Sequence, residues 1–516
     1  MLRNLASPQF FRFAIAMVFL LPVNLGAEDL TVSRLFSDHM VLQRDATIAV
    51  WGKAAPEAEV DVEFGGVVST TKAATDGRWT ANIVTPKTGG PFDLEIRLKG
   101  SEQKIALSDI LIGEVWLCSG QSNMEWPVKD SAFAEKEIEG ATQFSSVRLF
   151  TVERNASVTP LDEPARAIGW EVCSAQTVPN FSAAAYFFAC HYHKATGIPV
   201  GLVNASWGGT TCEAWTEFEH LRSVPELKEL ADHFKDVEPA ADPAYPGTLF
   251  NGMISPLRKF RFAGVLWYQG ESNVGRGRQY RDLFPAMIGN WRTRMESGQD
   301  LPFYFVQLAP YRYGNAPPEA LPEVWDAQLH SWKTVPNTGM VVTTDIGDVA
   351  DIHPRNKHEV GRRLALWATS RIKRNAEPVA GELPDVATSG KATETLAQGE
   401  KKKTPDVPSG PRYRNFRVDG HTIVISFDYT GSGLKVREAD ELVHFQICGE
   451  DKTFVPATVR IEGETVVVSS DAVISPIAVR FGWDDSAIPN LINGEGLPAS
   501  PFRTDDFPLT SENVSY

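Results

Sequence analysis

The sequence predicts an α/β fold in which a doubly wound parallel sheet is flanked by β-sandwich-like modules. From about residue 109 to 375, short apolar strands alternate with helical patterns, as in a doubly wound sheet. On both sides of this region, short segments alternate apolar with polar residues between turn residues, which is typical of β modules. The length of 516 residues is also too great for one hydrophobic core.

The amino-terminal β module is predicted over residues 28–108. Segments 47–51, 59–63 and 92–97 alternate apolar with polar residues, which is the pattern of half-buried strands. Turn residues such as Asp76-Gly77 separate them. The spacing favours a small β-sandwich, a fold class that does not by itself indicate a function.

The central α/β region is predicted over residues 109–375. The predicted strands are 110–117, 200–204, 263–268, 302–308 and 340–344. Helices are predicted at 183–194 and 357–372, and the second carries Val360 and Leu364 at helical spacing. Strands that alternate with helices in this way predict parallel strand pairing.

The chain closes with a linker and a second β module. Residues 376–409 show little apolar periodicity, which predicts an exposed linker or long loop. Strand-like patterns return at 421–427, 466–468 and 477–481. A carboxyl-terminal β module is therefore predicted over residues 410–516.

Residues 1–27 are predicted to be a signal peptide. Arg3 and Arg12 precede an apolar run at 13–21, and the small residues at 25–27 suit cleavage. The run is short for a bilayer span, and an uncleaved membrane anchor is the alternative. The segment predicts an exported protein, secreted or periplasmic.

Charge and cysteine content limit the classes of partner. With 50 basic and 65 acidic residues, the net charge of −15 argues against binding to nucleic acid or to an anionic membrane surface. The five cysteines leave at least one unpaired, and their sparse spacing does not form a disulfide framework. No Cys-x-x-Cys motif or His/Cys cluster indicates a zinc site, so no metal is predicted.

Polar segments follow four of the predicted strands. These segments are 119–124, 204–210, 268–273 and 345–354. Because the carboxyl ends of parallel strands meet at one edge of a sheet, we expect the four segments to share one cleft.

The residues in these segments match the roles that acyl transfer requires. Ser122 is the candidate nucleophile, which needs a base because a free hydroxyl is a weak nucleophile. Of the ten histidines, His353 is the best candidate for that base. It precedes Pro354, which favours an extended conformation at a helix start, and the helix dipole there disfavours imidazolium.

A tetrahedral intermediate also needs hydrogen-bond donors for its oxyanion. The Ser122 N–H is one candidate, and the N–H of Gly208 or Gly209 is a second, since glycine permits close backbone approach. A side-chain amide of Gln269 or Asn273 is the candidate for a third.

At these residues the chain resembles a known family. The motifs are Gly-Gln-Ser-Asn-Met at 120–124, Trp-Tyr-Gln-Gly-Glu-Ser-Asn at 267–273 and Asp-Ile-His-Pro-Arg-Asn-Lys at 351–357. Together they resemble the sialate O-acetylesterase family within the SGNH hydrolases. Flanking segments at 37–44, 250–257 and 496–505 are similar as well, so the resemblance covers nearly the whole mature chain.

The resemblance implies an SGNH-type fold and a metal-free Ser–His hydrolase without a cofactor, which removes O-acetyl groups from sugars through an acetyl-enzyme. By position, Ser122 corresponds to the nucleophile and His353 to the base. Gly208 or Gly209 corresponds to the oxyanion glycine, and the 269–273 loop to the oxyanion amide.

One motif departs from the family pattern. SGNH hydrolases typically carry Asp-x-x-His, whereas this chain has Asp351-Ile352-His353. In an extended segment, positions i and i+2 point the same way, so Asp351 is the predicted acid that orients His353. Asp348, Asp345 or a backbone carbonyl are the alternatives.

The expected substrate is O-acetylated sialic acid, with an acetylated plant or algal polysaccharide as the alternative. Trp207 or Trp215 either stacks on a sugar ring beside the cleft or lies in the core. Outside the enzymes, the alternative is a non-catalytic carbohydrate-binding protein, because two β modules and 13 tryptophans also suit sugar stacking.

Overall fold

The computed structural model describes residues 29–166, 169–376 and 407–514. The predicted signal peptide, residues 1–27, lies outside the described residues. Most of the predicted linker, from residue 377 to 406, lies outside them as well.

Two largely antiparallel sheets form the amino-terminal part of the structure. Their strands are β1 (Thr31–Val32), β2 (Val41–Gln43), β3 (Thr47–Lys53), β4 (Glu59–Phe64), β5 (Val67–Lys72), β6 (Arg78–Val84), β7 (Gly89–Leu98) and β8 (Lys104–Gly120). One sheet has the order β1-β3-β6, and the other joins β5, β4, β7 and β8. Because β4 and β6 alternate buried with more exposed residues, one face of each strand is turned to a core.

The central sheet has the strand order β10-β9-β11-β8-β12-β13-β14. Its remaining strands are β9 (Val147–Thr151), β10 (Glu171–Val172), β11 (Val200–Ser206), β12 (Gly264–Tyr268), β13 (Phe303–Val306) and β14 (Thr338–Val341). Every neighbouring pair from β9 to β14 is parallel, and β10 pairs antiparallel with β9. The predicted α/β class with a parallel central sheet is confirmed.

Helices cover both faces of this sheet. They are α1 (Ser122–Glu125), α2 (Ala134–Gly140), α3 (Ala183–Thr196), α4 (Phe218–Ser223), α5 (Lys228–Phe234), α6 (Gly277–Arg294), α7 (Ala320–Thr334) and α8 (Lys357–Ala376). Tyr304 of β13 stacks on Trp367 of α8, whereas its neighbours Phe303 and Phe305 contact Phe284 of α6. Neighbours along a strand point to opposite faces, so α6 and α8 lie on opposite faces. No helix among the described residues is long and apolar enough to span a membrane.

Strand β8 belongs to both of these regions. Its first six residues are exposed or partly buried in alternation and pair with β7, whereas its last eleven are all buried. Residues 111–113 pair with β2, and residues 114–120 lie beside β11 in the central sheet. The domain boundary that the sequence predicts between residues 108 and 109 therefore lies inside one continuous strand.

The carboxyl-terminal residues form three further sheets. Their strands are β15 (Arg412–Asp419), β16 (Thr422–Asp428), β17 (Leu434–Val436), β18 (Phe445–Cys448), β19 (Val455–Pro456), β20 (Thr458–Glu462), β21 (Thr465–Ser469), β22 (Ala478–Phe481), β23 (Leu491–Asn493) and β24 (Phe502–Arg503). The sheet orders are β15-β16-β21-β20, β17-β23 and β19-β18-β22-β24. Each of the three strand patterns predicted in this part overlaps one of these strands.

All five cysteines lie within the described residues as free, buried thiols. Cys118 is in β8, in the strand that leads to Ser122, and burial raises the pKa of its thiol. These cysteines act as small apolar side chains in the core rather than as cross-links.

Candidate active site

The candidate active site lies where the central strands end. Gly120, the last residue of β8, is level with Ser206 of β11 and Tyr268 of β12, so three strand ends meet at one edge. Ser122 follows as the first residue of α1. Gly120 has φ 138°, and a Cβ at this position would lie 2.1 Å from the Tyr268 carbonyl oxygen. Only glycine fits this turn, which places Ser122 at the sheet edge.

His353 and Ser122 come together at this edge, as the sequence predicts. His353 lies between β14 and α8, and its Nε2 is 2.8 Å from Ser122 Oγ. The imidazole stacks on the indole of Trp126, with 4.8 Å between ring centroids and 19° between ring planes. Partial burial and the charge of Lys357 lower the pKa of His353, while Asp351 opposes them. The neutral imidazole, the form that accepts a proton, is thereby favoured.

The predicted acid, Asp351, contacts the backbone of His353 rather than its ring. Its Oδ1 accepts a hydrogen bond of 2.9 Å from the His353 backbone N–H. Of the two aspartates among the alternatives, Asp348 accepts from the N–H of Ala350, and Asp345 pairs with Arg363. Among the described residues, no carboxylate is hydrogen-bonded to the Nδ1 of His353. The ring is held instead by its stacking on Trp126 and by the hydrogen bond between the His353 backbone N–H and Asp351.

The two predicted oxyanion glycines follow β11 and differ in their surroundings. Gly208 packs against the nucleophile, because a Cβ on it would lie 3.3 Å from Ser122 Cβ. Its N–H donates at 2.8 Å to an Oε2 of Glu125, whose carboxylate is also paired with Arg154. Within the described part of the chain, nothing accepts a hydrogen bond from the backbone N–H of Ser122 or Gly209. Those two donors are available to a ligand.

Gln269 and Asn273, whose amides the sequence predicts as candidate oxyanion donors, are hydrogen-bonded inside the protein. Both side chains are fully buried. The Gln269 amide donates to the Thr210 carbonyl at 3.1 Å and to Asn273 Oδ1 at 2.7 Å. The Asn273 amide donates at 2.9 Å to Glu213. These hydrogen bonds fix the loop after β12, and the oxyanion role of the two amides stays a prediction.

A buried hydrogen-bond network links the two segments that carry Ser122 and His353. Asn123 Nδ2 donates to Glu271 Oε1 at 2.5 Å and to the Ile352 carbonyl at 2.9 Å. Lys357 Nζ donates to Asn123 Oδ1 at 2.5 Å and to the Pro354 carbonyl at 2.8 Å. Burial lowers the pKa of Lys357 to about 7 and raises that of Glu271. The network was not predicted from the sequence.

Three residues of the site were missed, although the sequence held a signal for each. Asn123 and Trp126 follow Ser122 by one and four residues, and Asn123 lies inside the Gly-Gln-Ser-Asn-Met motif. Lys357 is three residues before Val360, so it shares the buried face of α8. A lysine on a core-facing stripe is unusual enough to indicate a specific partner.

The two tryptophans that are candidates for sugar stacking, Trp207 and Trp215, differ in burial. Trp215 is fully buried and packs edge-on against Trp267, so it belongs to the core. Trp207 is half-buried directly before the glycine turn, and the Arg154 guanidinium lies 5.7 Å from its ring centroid. Of the two, only Trp207 has surface to offer a substrate.

The site supplies a hydroxyl, an imidazole hydrogen-bonded to it, and backbone N–H groups that follow β8 and β11, which are groups that acyl transfer uses. Among residues 29–166, 169–376 and 407–514, no group of three or more His, Cys, Asp or Glu side chains is arranged to hold a metal ion. The chemistry derived from this site starts from Ser122 and His353, which are hydrogen-bonded to each other.

Comparison with known proteins gives a family model and several relatives. The model described as "Carbohydrate esterase, sialic acid-specific acetylesterase" matches residues 112–369. The sialate O-acetylesterase of Rattus norvegicus is 29% identical over 504 residues, with 86% of this chain and 88% of the rat protein covered. The human sialate O-acetylesterase is 27% identical over 522 residues, with 93% and 94% covered.

A solved structure is similar over most of its length. It is described as a novel carbohydrate acetylesterase from Xanthomonas citri and is 36% identical to this chain. The match has a TM-score of 0.79 and covers 92% of this chain and all of the other, 100%.

Proposed function

We propose, because this chain belongs to the sialic acid-specific acetylesterase family of carbohydrate esterases, that it removes O-acetyl groups from sugars by a Ser122–His353 mechanism. The chain is a carboxylic ester hydrolase, so the alternative of a non-catalytic carbohydrate-binding protein is set aside. The observation that supports the mechanism most directly is the 2.8 Å distance between His353 Nε2 and Ser122 Oγ. This distance suits direct proton transfer between the two atoms.

In the first half of the reaction, Ser122 Oγ attacks the acetyl carbonyl carbon while its proton moves to His353 Nε2. The tetrahedral intermediate collapses as the C–O bond to the sugar breaks, and His353 returns the proton to the departing sugar oxygen. An acetyl-enzyme remains. In the second half, water gives a proton to His353 and attacks the acetyl carbon. The bond between that carbon and Ser122 Oγ then breaks, His353 returns the proton to Oγ, and acetate leaves.

The oxyanion donors in this proposal are backbone groups. The N–H groups of Ser122 and Gly209 have no acceptor among the described residues, which leaves them for the developing negative charge. The Gly208 N–H is held by Glu125, so it joins the oxyanion site only when that carboxylate turns away. A fixed N–H donor stabilises an oxyanion without further reorganisation.

For the substrate, we propose O-acetylated sialic acid, with an acetylated plant or algal polysaccharide as the second candidate. The family description and the rat and human relatives support the first candidate. We further propose an SGNH-type arrangement of the catalytic segments and a cleavable signal at residues 1–27, which together describe an enzyme exported to act on glycans. The 28–108 and 410–516 modules are proposed to flank the esterase region.

The mechanism is tested with Ser122→Ala, since the hydroxyl is proposed to be the nucleophile. We expect the rate of p-nitrophenyl acetate hydrolysis to fall by about four to six orders of magnitude, with an unchanged melting temperature. His353→Ala is expected to follow it, whereas His358→Ala serves as a control on the same segment. A Ser122→Ala enzyme with about a tenth or more of wild-type activity would contradict the proposal.

The substrate is tested with an acetate-release assay on O-acetylated sialic acid, acetylated polysaccharide and aryl acetate. We expect the highest kcat/KM on the acetylated sialic acid, and faster cleavage of acetyl than of butyryl esters, because a small acyl pocket penalises extra methylenes. A preference for polysaccharide would select the second candidate. Equal rates on long-chain esters would remove the sugar claim.

A further inference from the structure

Building on the Ser122–His353 mechanism proposed above, we infer that Lys357 is a positioning residue for His353. With Asn123, it forms a clamp that ties both sides of the His353 loop to the turn that carries the nucleophile. The clamp consists of Lys357, Asn123 and Glu271, and none of them is proposed to touch the reacting atoms.

The clamp can form its hydrogen bonds in one direction only. A protonated lysine donates and cannot accept, and a carboxylate accepts and cannot donate. Asn123 lies between them, so its Oδ1 faces Lys357 and its Nδ2 faces Glu271. This order fixes the orientation of the Asn123 amide and leaves Nδ2 able to donate to a second acceptor, the Ile352 carbonyl.

The clamp holds the backbone on both sides of His353. Asn123 Nδ2 binds the carbonyl of Ile352, which precedes the histidine, at 2.9 Å. Lys357 Nζ binds the carbonyl of Pro354, which follows it, at 2.8 Å. Because Asn123 is next to Ser122 in the chain, the same contacts set the spacing between Ser122 Oγ and His353 Nε2. No carboxylate among the described residues reaches the Nδ1 of His353, so these contacts take on the task of placing the base.

Burial makes the clamp costly unless its charges are paired. Lys357 and Asn123 are each 1% exposed, and Glu271 is 8% exposed. A buried cation is unfavourable without an anion, which Glu271 supplies through Asn123, and the ring of Tyr268 lies 5.3 Å from Lys357 Nζ. An apolar residue at position 357 would avoid this cost. The hydrogen bonds of Lys357 to Asn123 and to the Pro354 carbonyl explain why a lysine is present.

Lys357 also acts on His353 through its charge. The ionisable groups acting on Lys357 are Glu271, three residues after the end of β12, and Asp351 on the His353 loop. Those acting on His353 are Lys357 and Asp351. The pKa of Lys357 is about 7, so the lysine is protonated over the acidic range in which His353 titrates. Its charge therefore disfavours imidazolium and preserves the base at lower pH.

The test replaces Lys357 by methionine, which keeps the length of the side chain and removes its charge and donors. A double variant, Glu271→Gln with Lys357→Met, removes both buried charges and keeps an acceptor for Asn123. Lys373→Met, an exposed position further along α8, is the matched control. For each, kcat and KM on p-nitrophenyl acetate are measured across pH, together with the melting temperature.

We expect Lys357→Met to lower kcat about 10- to 100-fold with little change in KM, because a misplaced base slows the chemical step. The acid limb of the pH profile is expected to move upward by about half a pH unit, because the charge near His353 is lost. The double variant should recover melting temperature while keeping the low kcat and the shifted limb. Lys373→Met should match the wild type in kcat, in KM and in the position of the acid limb.

Two results would overturn the inference. One is a Lys357→Met enzyme with wild-type kcat and an unmoved acid limb. The other is a double variant that recovers both melting temperature and wild-type kcat, which reduces Lys357 to a purely structural role. If Lys357→Met fails to fold, the double variant decides by the same criteria. These outcomes are distinct from failure of the mechanism itself, which is an active Ser122→Ala enzyme.

Discussion

On one side of Ser122, which we call the enclosed side, the half-buried base lies on a loop that is bonded to buried side chains, whereas on the other side the glycine turn is open. His353 is stacked on Trp126, and its loop is bonded to the buried side chains of Asn123 and Lys357. In the turn at residues 208–209, Gly209 is exposed. The Arg154 side chain, which pairs with Glu125 next to this turn, is 50% exposed.

The difference follows from what each side has to do. The base must stay within hydrogen-bond distance of Ser122 Oγ when it takes the proton and when it returns it, which favours a loop that is fixed by buried partners. The acyl side must admit a substrate carbonyl and later a water molecule, so its donors need to face open space. A site can therefore be rigid where it moves protons and accessible where it exchanges ligands.

The largest effect on the open side is expected from Gly208→Ala. The added Cβ would lie 3.0 Å from Glu125 Oε2 and 3.3 Å from Ser122 Cβ, so it presses on the nucleophile. We expect kcat to fall about 100-fold, measured by acetate release, because small displacements of reacting groups are costly.

Gly209→Ala is the matched comparison for that change. At φ 77° a Cβ is strained but meets open space, so we expect about 1 kcal/mol less stability in thermal unfolding and a much smaller loss of kcat. If Gly209→Ala lowers kcat more than Gly208→Ala does, the prediction that the packing of Gly208 against Ser122 is important for catalysis is wrong.

The pH profile sharpens the description of the enclosed side. Activity requires neutral His353, so it rises with pH as the imidazolium loses its proton. Burial and Lys357 lower the pKa of His353, which places the acid midpoint of kcat/KM below the ordinary histidine value of roughly 6.5. A midpoint above that value would mean that the histidine is stabilised in its charged form, as a ring-bound carboxylate would do.

The smallest effect is expected from Asp351→Asn. Asparagine keeps an Oδ1 that accepts the His353 backbone N–H and removes only a charge beside the ring. We expect kcat to fall less than about tenfold, whereas loss of a carboxylate that orients the ring costs about four orders of magnitude. Steady-state kinetics on p-nitrophenyl acetate separate these two outcomes, and the larger loss would restore Asp351 as the orienting acid.

Strand patterns and strand-end motifs were enough to predict the parallel sheet and the meeting of Ser122 with His353. Both depend on local signals: an apolar run for each strand, and a sheet edge where the strands end. The choice of Gly208 and Gly209 followed from the same reasoning. These residues lie near the ends of strands and helices whose relative position the topology determines.

Side-chain partners were harder to predict because they depend on packing across distant segments. Gln269 and Asn273 look like free amides in the sequence, but the fold places acceptors for them in the 210–213 segment. Asp351 is two residues from His353, and a local turn bonds it to the backbone instead of the ring. Which acceptor an amide or carboxylate finds is decided by the tertiary structure.

The continuous strand β8 has a consequence for how such enzymes can be built from parts. Residues 104–109 pair within the amino-terminal sheets, and the same strand ends at the turn before Ser122. A break after residue 108 would remove β2 and β7 from the start of the buried stretch, and would leave peptide groups of residues 110–113 without their strand partners. The amino-terminal module therefore cannot be removed at residue 108 without disrupting the central sheet. A chimera of related chains has to keep β8 and its neighbouring strands together as one unit.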